Sequence, residues 1–158
     1  MGLSDLAWLN DTPIAAWVNS SQYIWPALET IHFSSLCVLV GSIVIIDLRL
    51  IGFFRQQCAS IVEFLVRLSL LAFAVNFTTG FLFFAGNSFK YINNSAFDIK
   101  LILIMIAGLN AIYYRLRLSH IVAGNDVTWS SIGVGYLSLL LWSGVIICGR
   151  MITFYATG

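Results

Sequence analysis

Four long apolar runs separated by short polar stretches set the pattern of this chain. They occupy about 24–46, 61–85, 96–118 and 130–156, each long enough to cross ~30 Å of hydrocarbon at ~20 residues per helix. A backbone in hydrocarbon must satisfy its own N–H and C=O groups, so such runs predict helices. Short connections make neighbours antiparallel. The expectation is all-α: an integral membrane four-helix up-down-up-down bundle. The fourth run is the cleanest, with no charge between Val127 and Gly149. No stretch is left over for a soluble domain, so 1–158 reads as a single membrane domain.

Residues 1–22 carry a different pattern, with Leu, Trp and Ile alternating with Asp, Asn and Thr. Thr12-Pro13 has the form of an N-cap followed by proline at the first helical position. Trp8, Trp17 and Trp25 suit a headgroup layer, where a ring can be half wet. A short N-terminal interfacial helix is predicted. The segment has acid where a signal peptide needs base, so it is expected to be retained.

Composition agrees with the pattern. Of 158 residues, 59% are hydrophobic and 9% charged, against roughly 25% charged in soluble domains. A net charge of +1 offers no basic patch, and nucleic acid is not expected as a partner. The bilayer is. Cys37, Cys58 and Cys148 are odd in number and without CxxC spacing, which implies no disulfide framework. Small residues four apart predict close helix packing: Ala107/Ala111, Ser131/Gly135 and Asn76/Gly80.

Basic residues suggest an orientation. Arg49, Arg55, Arg67, Arg115 and Arg117 fall at one end, and Lys90, Lys100 and Arg150 at the other. The positive-inside rule then places both termini outside, periplasmic for a bacterial inner membrane.

Candidate chemistry comes from converting position to depth at ~1.5 Å per residue. All four helices then contribute polar groups to the outer half: Glu29 and His32, Asn76 and Thr79, Lys100, and Arg150. Ionisable groups in hydrocarbon are costly, so their convergence marks a candidate site. Its plainer form is a structural network, with Glu29 paired to Arg150 or Lys100. A second set, Asp47, Arg49, Glu63, Arg67, Arg115, Arg117 and His120, reads as a solvated inner rim of snorkelling and paired side chains. Glu63 and Arg67, at i,i+4, are expected to pair. Asn110, mid-helix, reads as interhelical glue.

Haem b in a helical bundle commonly takes two axial ligands, and only His32 and His120 are present. They lie ~20 Å apart in depth. A haem would therefore join His32 to Met105 or Met151, or to a second His32 across a homo-oligomer. His32, Met105, Met151 and Cys148 also form a candidate soft-ligand set for copper. No nucleophilic triad, phosphate loop or zinc motif is present.

The stretches LxWLxxTPxAxW, WPxxExxHFxxLxxLVG, DLRLIG, TGFLFF, YxxNxAFxxKLxLI and LWxGVxxCGRMI span nearly the whole chain. They resemble an uncharacterised family of small bacterial four-helix membrane proteins. His32, Asp47-Leu48-Arg49, Lys100 and Gly149-Arg150 carry that resemblance, which implies the architecture alone. More distantly, His32 with Phe97 and Lys100 looks like the copper-resistance D family and the HemJ-type protoporphyrinogen oxidases. In the latter such a histidine is associated with haem.

Three readings stand. One is a membrane subunit whose site around His32 holds haem b or a metal for redox or copper handling. Another is a structural or accessory subunit of a larger membrane complex without a prosthetic group of its own. The third is an enzyme acting on a lipid-soluble quinone or porphyrin.

Overall fold

The computed structural model describes residues 11–53, 59–92, 94–119 and 127–155. Trp8, Arg55, Cys58, His120 and Ala156 lie outside the described residues. All regular structure among those described is helical: α1 (Pro13–Val18), α2 (Ile24–Ile51), α3 (Ala59–Gly86), α4 (Ser88–Ile92), α5 (Ser95–Tyr113) and α6 (Trp129–Tyr155). A π-helical turn, Tyr114–Leu118, extends α5.

Helix α1 starts where Thr12-Pro13 predicts. The Ala15 N–H donates to the Thr12 hydroxyl at 3.3 Å, and Pro13 needs no partner for an N–H it lacks. Its buried Val18 packs on the last turn of α3, where a Cβ on Gly86 would come within 2.8 Å of Val18 Cγ1. The Asn19 amide donates to Gly86 O at 3.0 Å and its oxygen accepts from Trp25 Nε1 at 3.1 Å. So α1 is tied to the bundle.

The four long helices are each apolar and long enough to cross a membrane, and the chain is a multi-pass membrane protein with an all-α, four-helix bundle. Within them the buried positions repeat at alternating steps of three and four. In α2 the stripe runs Leu28, His32, Ser35, Leu39, Ser42, Ile46, Arg49. In α6 it runs Ser131, Val134, Ser138, Leu141, Val145, Cys148, Ile152. The same spacing runs from Val62 to Phe83 in α3 and from Ala96 to Tyr114 in α5. This is the spacing of left-handed helical bundles. Small and polar residues fill much of the interior, while Leu71, Phe77, Leu109, Leu140 and Phe154 point outward. That inversion suits an apolar surrounding, where small residues let backbones approach.

Helix α2 packs on α3 and α6, and α5 packs on α6. Between α5 and α6, Asn94 Nδ2 donates to Ile152 O at 3.1 Å, Leu103 sits over Gly144, and Asn110 Nδ2 donates to Val134 O at 3.2 Å. Asn110 is thus the interhelical bond its position suggests. Ala107 is buried in the same seam, but Ala111 is exposed, because Asn110 rather than Ala111 continues the stripe. Helices α3 and α5 meet through side chains at the end bearing α1 and α4: Phe84 stacks on Phe97 at 5.7 Å, and Tyr91 lies against both. The opposite end is held by Ile46, Leu50, Val62, Leu118 and Val134.

Three helices match the expected spans to within two residues. Helix α2 does not stop near position 46 but continues to Ile51, through Asp47 and Arg49. Those two do not stand in a solvated rim. They are 3% and 4% exposed, turned into the bundle, so their charges do not end the helix. Gly52 ends it, at φ 107°, a left-handed turn in which Gly52 N and Phe53 N both reach back to Leu48 O. Four other members of that rim are as expected: Arg115 and Arg117 are exposed, and Arg67 Nη2 meets Glu63 Oε1 at 2.8 Å.

Candidate binding site between the four helices

About one and a half to two turns in from the α1 end, the core stripes bring together His32 (α2), Thr79 (α3), Lys100 (α5) and Cys148 (α6). His32 Nδ1 lies 2.7 Å from the Thr79 hydroxyl. That hydroxyl also sits 2.8 Å from Val75 O, the usual partner of a helical threonine. One O–H proton serves one acceptor at a time. When it goes to Val75 O, Nδ1 carries the imidazole proton and Nε2 presents a lone pair. The ring stands edge-on to Phe83 at 5.5 Å, and Phe83 stacks on Trp25 at 5.3 Å. Gly80 leaves room for the imidazole, with Cε1 3.8 Å from where its Cβ would be.

Asn76 is buried and fastens the same turn. Its amide donates to His32 O at 3.2 Å and to the Ser35 hydroxyl. Ser35 was not among the expected residues. The signal for it was present in the three-four spacing His32, Ser35, Leu39, which places it on the histidine's face.

Lys100 is half-buried, and its ammonium would lie 3.6 Å from a Cβ on Gly149. It is within electrostatic range of both His32 and Cys148. Among the described residues it has no carboxylate partner, the one ion pair there being Glu63–Arg67.

The other expected members stay out of the interior. Glu29 is exposed, since the α2 stripe passes through Leu28 and His32 and leaves it on the flank. Arg150 is exposed and pairs with neither Glu29 nor any other carboxylate among the described residues. It is two residues from both Cys148 and Ile152, roughly 200° round the helix from each. The same offset from Leu103 and Ala107 turns Met105 outward at 69% exposure, and Met151 is 40% exposed. Glu29 acts instead on Tyr91 in α4. Burial, then the Glu29 charge, push the Tyr91 phenol above its ordinary value, so it stays neutral against Phe84 and Phe97.

The copper set His32, Met105, Met151 and Cys148 is therefore not assembled, and no three His, Cys, Asp or Glu among the described residues gather to hold a metal ion. For haem b the described residues at this level offer one imidazole, His32, and one cation, Lys100, without a second axial ligand from Met105 or Met151. A shallow groove of about 260 Å³, lined by Ala74, Val75, Thr78 and Thr79, lies on the far flank of the Thr79 turn. The chain matches no family model, no curated protein and no solved structure.

Proposed function

We propose that the chain is a membrane-embedded binding subunit whose site, His32 with Lys100, takes a lipid-soluble ligand bearing carboxylate or carbonyl oxygens. The observation that carries this is the Lys100 ammonium on an interior stripe with no carboxylate partner among the described residues. A cation in hydrocarbon is stabilised by an anion or by oxygen acceptors, and a bound ligand would supply them. When the Thr79 proton goes to Nδ1 instead, His32 Nε2–H is the donor left for a ligand oxygen, and Phe83, Phe84 and Phe97 supply apolar surface for a flat ring. Haem b belongs to this ligand class through its propionates, with His32 as the single axial ligand from this chain and another protomer supplying any second.

The test is detergent-purified protein examined by visible absorption, metal content and mass spectrometry of extracted small molecules. A co-purifying acidic or carbonyl compound is expected, with occupancy falling at least tenfold in Lys100→Met while the melting temperature holds. A Soret band lost in His32→Ala identifies haem. A colourless preparation free of metal and extractable ligand overturns the proposal. It would favour a structural subunit of a larger membrane assembly, for which the internally bonded His32–Thr79 and Asn76–Ser35 contacts already speak.

The proposed setting is a bacterial inner membrane with both termini on the periplasmic side. Arg67, Arg115 and Arg117 at the far end support it, together with Arg55 in the sequence. Cys58 should then react with a membrane-impermeant maleimide only from the cytoplasmic side. Labelling in intact spheroplasts would reverse the orientation.

A further inference from the structure

Asp47 lies fifteen residues from His32 along α2, ~22 Å deeper in the bundle, and belongs to no part of the site above. It is 3% exposed. The Ser138 side chain on α6 lies within reach of the carboxylate, and Oδ2 is buried with no hydrogen-bond partner among the described residues. The backbone allows little adjustment there, since a Cβ on Gly135 would come 3.0 Å from Asp47 O and 3.0 Å from Ile51 Cγ1.

Among the described residues, no charged group forms an ion pair with it. Arg49 is buried on the same helix but stands roughly 200° round from Asp47, and the two form no ion pair. The π turn brings Tyr114, which is in electrostatic range of Asp47, Arg49 and Arg115. Helix α3 offers Glu63 and Arg67, exposed and paired with each other. On α6 the nearest ionisable group is Tyr136, 53% exposed.

A buried carboxylate with an empty oxygen is an uncompensated charge, and such groups neutralise by taking up a proton or a cation. A metal cation needs several oxygens around it. Here Gly135 closes on the Asp47 main chain beside Leu50 and Ile51, and among the described residues no group of metal-ligating side chains is formed. A proton needs no further ligands. We propose that Asp47 is an exchangeable proton-binding site in the half of the bundle opposite the His32 site. Oδ2 carries the proton, with the Ser138 side chain within reach of the carboxyl. On release the O–H bond breaks, the electron pair stays on the carboxylate, and the proton passes to water at the Gly52 end, about one and a half helical turns away.

Infrared difference spectroscopy of the full chain in lipid nanodiscs tests this. A neutral-carboxyl C=O band is expected near neutral pH, vanishing as pH rises, shifting on carbon-13 labelling of aspartate and absent in Asp47→Asn. The isotope shift identifies an aspartate in the wild-type chain, whatever the variant's folding. As a second readout, dicyclohexylcarbodiimide, which attacks protonated carboxyls in apolar surroundings, should modify Asp47. The adduct should fall at least tenfold at alkaline pH and be indifferent to sodium or potassium. Absence of the isotope-shifted band, or protection of Asp47 by either salt, would overturn the proposal.

Discussion

Gly135→Leu is expected to lower the stability of the bundle by about 3 kcal/mol or more, the upper range for overpacking a close-packed seam. Helices α2 and α6 meet here backbone to backbone. The first added carbon would be 3.0 Å from Asp47 O and 3.3 Å from Leu50 Cβ, and a main-chain oxygen cannot swing aside as a side-chain tip can. Pushing the helices apart also stretches the Ser131 hydroxyl bond to Leu50 O, now 3.1 Å, and draws Ser138 away from Asp47. Reversible unfolding in a detergent series measures the cost. Gly133 is the matched control, two residues away with nothing within 4 Å of its would-be Cβ. Gly133→Ala should leave stability unchanged or raise it by up to ~1 kcal/mol through helix propensity. Equal losses in both variants would mean that α2 and α6 do not approach at Gly135.

Asn76→Leu should cost about 2 kcal/mol, measured in the same way. The substitution conserves bulk but removes two interhelical donations, to His32 O and to Ser35. Interhelical hydrogen bonds in bilayers average ~0.6 kcal/mol and reach ~1.7. The remainder comes from leaving the Ser35 hydroxyl without this partner in an apolar seam. A double-mutant cycle with Ser35→Ala separates the terms: a coupling of about 1 kcal/mol is expected, because the residues touch. Strict additivity would mean that the bond contributes nothing. Asn76→Leu should also loosen the turn of α2 that carries His32, so ligand occupancy should fall with stability. Lys100→Met, by contrast, should lower occupancy alone.

Much of this protein follows from local sequence. Run length and the demand for internal backbone hydrogen bonding in hydrocarbon determine four helices and, for three of them, their ends. Thr12-Pro13 determines where α1 begins, and the i,i+4 spacing of Glu63 and Arg67 determines their pair. Depth also follows, because rise per residue is constant: His32, Thr79, Lys100 and Cys148 do lie at one level.

Direction around each helix axis does not follow in the same way. In a soluble bundle, water separates a polar outside from an apolar inside. Here lipid and core are both apolar, so hydrophobicity alone barely distinguishes the faces of a helix. Glu29, Arg150 and Met105 share the depth of His32, yet the stripes leave them outside. Asp47 and Arg49 have the look of a helix-ending charged rim, yet both turn inward. Those choices are made between helices, by backbone approach at Gly135, Leu103 seated on Gly144, and Asn76 bonded across to α2. Sequence determined the helices and the level of their polar groups. Tertiary packing decided which of those groups face one another, because only interhelical contact sets the rotation of each helix.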